Sequence, residues 1–128
     1  MLVWSSEQAE RVREILDRHP PESNACAIAA QELLPHAREL DPEARAMLIE
    51  PPTHGRPRSQ RTKGPYLVLK TGPTRLWTHH VTTELSAHCL DSLTGVPGFL
   101  RTSYLEHYFE FPEVLTMTPM EEDQWDEL

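Results

Sequence analysis

Three side chains of this chain have types and placements suited to nucleophilic chemistry: Cys26 at the start of an apolar helical stretch, and His80 and Asp91 on what reads as one hairpin. A thiol in the first turn of a helix gains acidity from the positive partial charge of the unpaired amides there. An imidazole held by a carboxylate keeps one tautomer and serves first as base and then as acid. Together the three would run acyl transfer through a thioester, with Cys26 as nucleophile, His80 as base and acid, and Asp91 as the group that orients the ring. The Cys26 amide and the Asn24 side chain are the candidate oxyanion donors.

The hairpin supplies the geometry. If Ser86-Ala87 is a two-residue loop, Leu85 lies opposite His88, Thr83 opposite Leu90, Thr82 opposite Asp91 and His80 opposite Leu93. His80, Thr82 and Asp91 then share one face, with Asp91 on the diagonal from His80, while His79 and Leu90 point the other way. A slip of one residue would move Asp91 to the face away from His80. Each residue also has an ordinary structural reading. A cysteine in an Ala-rich helix is commonly a small core residue, a histidine in a Thr-rich strand is commonly a satisfied structural one, and Asp91 suits a cap on the Leu93-Thr94-Gly95 turn. His79, His80, His88 and Cys89 invite a zinc reading, but neighbours on a strand face opposite ways, so at most two could share a site. No metal or cofactor is expected.

The elements that must hold these residues are short, because twelve prolines and five glycines punctuate the chain. Ser5 or Ser6 caps a first helix to about Arg18, striped by Val12, Ile15 and Leu16 and stopped by Pro20-Pro21. Ser23 or Asn24 caps a second from about Ala25, whose Ala27, Ile28, Ala30, Leu33 and Leu34 make it nearly apolar all round and therefore central. Pro35 kinks or ends it, and Asp41-Pro42-Glu43 starts a short helix through about Ile49. Residues Glu50 to Gly64 carry three prolines and read as a surface loop. Pro65 to Lys70, Arg75 to Leu85 and His88 to about Leu93 read as strands, and Ser103 caps a last helix containing Tyr104, Leu105, Tyr108 and Phe109. Trp77 and Tyr66 read as core or pocket-wall aromatics. The expectation is one α+β domain over residues 1–120 with an acidic tail over 121–128.

A formal charge of −8 speaks against a general nucleic-acid binder, since phosphate neutralisation needs clustered Lys and Arg and the one basic run is Arg56 to Lys63. No apolar stretch approaches the roughly 20 residues of a membrane helix, and the N-terminus lacks a signal-peptide pattern. Two cysteines in unlike contexts do not make a disulfide scaffold. A cytoplasmic chain with reduced thiols is expected.

The segment from His80 through Leu85-Ser86-Ala87 to Asp91-Ser92-Leu93-Thr94-Gly95 resembles the strand pair of bacterial papain-fold toxin domains, and Asn24-Ala25-Cys26-Ala27 is similar to their nucleophile helix. The resemblance covers roughly residues 22 to 96. It implies a papain-like fold in which a central helix carrying the cysteine packs on a small antiparallel sheet. It further implies a cysteine peptidase or glutamine deamidase acting on a protein or peptide, with Cys26, His80 and Asp91 in the roles above. Such domains serve as toxins or effectors delivered by a specialised secretion system and neutralised by an immunity protein. The chain departs from the pattern in having no Gln a few residues upstream of Cys26. An acyltransferase would use the same triad, and the contrasting expectation is a non-catalytic protein-binding module with a structural Cys26, its contact surface formed by Tyr104 to Phe111 and the acidic tail.

Overall fold

The protein is seen here as a computed structural model that describes residues 3–20, 26–51, 67–70 and 79–120. Within them the chain is α+β, with three α-helices and a five-stranded antiparallel sheet. Helix α1 (Ser6–Arg18) begins where the sequence signals it: the Ser5 hydroxyl accepts from the Gln8 amide while the Gln8 side chain accepts from the Ser5 amide. That reciprocal capping box satisfies two amides that the helix itself leaves unpaired. Helix α2 (Cys26–Leu40) continues past Pro35 rather than ending there. One backbone hydrogen bond is forgone there, and the burial of Leu33 and Ala37 on either side of it offsets the loss. Nor is α2 central and buried all round, since Ile28 is half exposed while Ala29, Ala30, Leu33 and Ala37 are buried.

The segment expected to form a short helix after Asp41 is instead strand β1 (Arg45–Glu50). Four successive residues, Ala46 to Ile49, are buried, so the strand is covered on both faces. It therefore shows a continuous apolar run rather than an alternating pattern. Asp41-Pro42-Glu43 forms a turn instead of a cap, with the Asp41 carboxylate accepting from the Glu43 and Ser86 amides. Strands β2 (His80–Leu85) and β3 (His88–Leu90) form the expected hairpin, joined by Ser86 and Ala87, both at positive φ. Strands β4 (Phe99–Leu100) and β5 (Thr116–Pro119) complete the sheet in the order β4-β3-β2-β1-β5. Helix α3 (Arg101–Tyr108) follows β4 directly, and Leu100 rather than Ser103 is its cap. Over the described residues 67–70 the expected strand is reduced to bridges, one of them Leu69 to Phe109, with the Lys70 amide donating to the Tyr108 carbonyl and the Glu110 amide to that of Val68. The expected strand residues 65, 66 and 75–78, the loop over 52–64, Trp77 and the tail over 121–128 lie outside the described residues.

The pleat of β2 divides the core in two. Val81 packs with Ala30, Ala46 and Leu48, against which Cys26 and Ala27 rest, and Leu85 joins Val12, Ile15, Leu16, Leu33 and Leu90. This is the face covered by α1 and α2. On the other face Ile49, Leu67, Cys89, Tyr104 and Phe109 form a second cluster under α3. The Tyr104 and Phe109 side chains expected on an exposed contact surface are thus fully buried. Among the described residues no helix is long and apolar enough to cross a membrane.

Candidate active site

The hairpin register decides the site. Leu85 pairs with His88, Glu84 with Cys89 and Thr83 with Leu90, the register that a two-residue loop dictates. Continued by one step, it brings Asp91 beside Thr82 and within reach of the ring one position along the same face. His80 Nε2 lies 3.1 Å from Asp91 Oδ2, and both side chains are buried. Ile49 pairs with His80 across β1, and the Phe109 ring lies 6.1 Å from the imidazole, centroid to centroid. These neighbours keep water from the His80–Asp91 bond.

Asp91 meets both readings of its role, one with each oxygen. Oδ1 accepts from the Leu93 and Thr94 amides at 2.8 and 3.1 Å and so caps the turn. Oδ2 accepts from His80 and from the Tyr104 hydroxyl. Burial pushes the carboxyl toward protonation, but the bond to His80, the charge of that ring, and the Thr82 and Tyr104 hydroxyls outweigh it and hold Asp91 below the usual carboxylate range. An ionised carboxylate only accepts, so Nε2 must be the donor in the pair. Nδ1 is then the ring nitrogen left to meet the thiol.

Cys26, the first residue of α2, completes the group. Burial raises its pKa, and hydrogen bonds from His79 and then His80, the charge of His80 and a backbone bond from Val81 bring it down to about 6. His80 moves the opposite way. Burial disfavours its charged form, but the bonds to Asp91 and Cys26 and the charges of both raise it to about 9. The two shifts, thiol down and imidazole up, both favour a thiolate beside an imidazolium, the reactive form of a cysteine nucleophile. Cys89 shows what the same side chain becomes without such donors. Burial and the charges of Asp91 and Glu84 push it up to about 12, and it stays a thiol packed in the α3-side core.

The structure therefore brings together Cys26, His80 and Asp91. Asn24, the candidate oxyanion donor, lies outside the described residues. Two participants went unassigned in the sequence. Tyr104 sits on α3 with an apolar neighbourhood that signals only core, and nothing in its local pattern announces a bond to Asp91. His79 lies on the other side from His80, as alternation demands, the side on which Cys26 packs, and it helps to lower the Cys26 thiol. His88 turns away to the Ser86 carbonyl at 2.7 Å, and among the described residues no group of three or more His, Cys, Asp or Glu side chains is placed to hold a metal ion. No protein-family model, no curated protein and no solved structure matches this chain.

Proposed function

We propose that the protein is a cysteine-dependent amide hydrolase of papain-like type, a peptidase or glutamine deamidase acting on a protein or peptide through Cys26, His80 and Asp91. The observation that carries this reading is the buried 3.1 Å bond from His80 to Asp91 in an imidazole that also meets Cys26. The Cys26 thiolate attacks the amide carbonyl carbon, and the π electrons move to oxygen. As the tetrahedral intermediate collapses, the C–N bond breaks and the His80 imidazolium gives its Nδ1 proton to the departing nitrogen. Water then attacks the thioester and transfers a proton to His80, and the carboxylic acid leaves as the thiolate returns. Asp91 stays ionised throughout and holds the ring in its tautomer. Peptidase and deamidase differ only in whether the amide is backbone or side chain. The similarity of the Asn24-to-Ala27 and His80-to-Gly95 segments to bacterial papain-fold toxin domains supports a toxin or effector role, with an immunity protein as partner.

The test is the pH dependence of alkylation, with Cys26 and Cys89 read separately by mass spectrometry. Cys26 in the wild type should react with a midpoint well below that of an ordinary thiol, His80→Ala should abolish that advantage, and Cys89 should stay slow in both. An ordinary Cys26 midpoint that ignores His80 would make the chain a binding module with a structural thiol. Cys26→Ala should eliminate turnover of peptide or glutamine substrates while the protein remains folded, because the sulfur removed is small.

A further inference from the structure

The His80–Asp91 pair has a third member on its side of the core. Tyr104, in the middle of α3 and fully buried, donates its hydroxyl to the same Asp91 oxygen, Oδ2, that receives His80 Nε2. Oδ1 is taken by the Leu93 and Thr94 amides, so ring and phenol share the other oxygen. Burial and the Asp91 charge keep the phenol protonated, and to a carboxylate it can only donate. The Phe109 ring packs against both partners, 6.0 Å from Tyr104 and 6.1 Å from His80 between centroids. Helix α3 is in turn tied down at both ends. The Arg101 amide donates to the Ala87 carbonyl of the hairpin loop at 2.9 Å and the Arg101 side chain meets Glu84 at 3.2 Å, while the Lys70 amide donates to the Tyr108 carbonyl at 3.0 Å. A hydroxyl on so constrained a helix holds a fixed place beside the carboxylate.

We propose that Tyr104 is a positioning residue of the candidate active site, its hydroxyl sharing Asp91 Oδ2 with His80 so that the carboxylate orients the imidazole without binding its proton too firmly for the reaction to use. The proposal deepens the hydrolase reading and rests on it. An imidazole paired with a bare buried carboxylate is a strong base and a poor acid. Acylation needs the imidazolium to give its Nδ1 proton to the departing nitrogen, and deacylation needs the neutral ring to take one from water. A second donor on Oδ2 draws off part of the carboxylate charge and brings the ring nearer the range where it does both. Tyr104 itself passes no proton to the substrate, because its hydroxyl ends on Asp91. The other titratable or charged groups near the pair are Cys26 from α2, Cys89 from β3, Glu84 from β2, and Arg101 and Tyr108 from α3, while β1 presents the apolar Ile49. All of them remain when the Tyr104 hydroxyl is removed, so a difference in the titration of His80 belongs to that hydroxyl.

Two readouts on the full chain separate this from a packing role. The first is the titration of the His80 ring by heteronuclear NMR of histidine-labelled Cys26→Ala protein, its signal assigned by loss in His80→Gln. Adding Tyr104→Phe should raise the ring midpoint by about one unit. Tyr108→Phe, which takes a hydroxyl from the same helix and leaves the Tyr104 bond in place, should not move it. Difluorotyrosine in place of Tyr104 is a stronger donor of nearly the same shape and should move the midpoint the other way, a reversal that packing does not produce. The second readout is the pH profile of acetyl-enzyme decay after reaction with p-nitrophenyl acetate, followed by intact mass. The thiolate attacks the ester carbonyl and p-nitrophenolate leaves; water then attacks the thioester as His80 takes its proton, the C–S bond breaks, and acetic acid and the thiolate separate. That decay needs the neutral ring, so Tyr104→Phe should shift the profile to higher pH by the same amount and slow decay about tenfold on its acid side. Equal ring midpoints with tyrosine, phenylalanine and difluorotyrosine at this position, or a decay profile that ignores Tyr104, would overturn the proposal. Should Tyr104→Phe not fold, the difluorotyrosine protein alone decides it. Failure of the wild type to form any acetyl-enzyme on Cys26 would instead overturn the hydrolase reading, a separate failure because the ring titration requires no turnover.

Discussion

At the scale of single residues the site is a chain of donors ending on one carboxylate. Both Asp91 oxygens are fully used, by two backbone amides and by two side chains from different elements. Tyr104→Phe removes the one donor that α3 contributes. It should destabilise the protein by about 1.5 to 3 kcal/mol, the range for a hydrogen bond to a charged group, measured by urea denaturation. The freed charge on Oδ2 should also hold the His80 proton more tightly, moving the alkaline limb of Cys26 reactivity upward. Cys26, His80 and Asp91 were legible in the sequence because each follows from a local rule: a helix start, a two-residue loop, a period of two. Tyr104 was not, because its bond joins α3 to the end of the hairpin, and no local rule reports on which side chains a tertiary contact brings together.

At the scale of elements, the loop and register of the hairpin and the extent of α1 were readable, β3 ends at Leu90 rather than near Leu93, and β1 was misread outright. Proline after Asp41, followed by Ala44 and Ala46, imitates a helix start. What overrides it is pairing on both sides, with Met47 opposite both Thr82 and Pro119, a tertiary fact with no local trace. Strands β4 and β5 are too short to carry a period. The tight approach of β4 to β3 turns on Gly98, which has φ of +105°, and an added Cβ would fall 2.9 Å from the Cys89 carbonyl oxygen. Gly98→Ala should therefore cost more than about 1 kcal/mol, the usual scale for alanine forced into positive φ. Because β4 leads directly into α3, the same change should displace Tyr104 and lower Cys26 reactivity as well, a joint loss that thermal unfolding and alkylation rate would register together.

At the scale of the whole molecule, activity and stability should respond differently to pH. The reactive thiolate and imidazolium pair exists between about 6 and about 9, so turnover should be bell-shaped across that window. For stability the two shifts oppose. His80 is raised from 6.5, so its contribution is full below that value and is lost as pH rises toward 9. Cys26 is lowered from 9.0, so its contribution grows as pH rises from 6 and is full only above 9. The slopes cancel, and the wild-type melting temperature should be nearly flat from about 6.5 to 9 as far as this pair is concerned. In Cys26→Ala only the His80 contribution remains, and the melting temperature should fall steadily with rising pH. Asp91, depressed below its usual range, adds stability that is lost in acid as pH drops through its folded value. A calorimetric pH series on the two proteins checks both statements.

The side chains gathered at the candidate site lie at unequal distances along the chain. His80 and Asp91 flank one hairpin closed by two residues, and contacts this local form within microseconds, at little loop-closure cost. Cys26 arrives from far earlier in the chain and meets them only when α2 docks on β2. During folding the relay should thus exist before the nucleophile reaches it, and the thiol should remain as sluggish as any free cysteine until that last packing event. The reactivity of Cys26 is then a clock for α2 docking. On the proposed reading, a nascent or partly unfolded chain should carry no reactive thiolate until α2 docks.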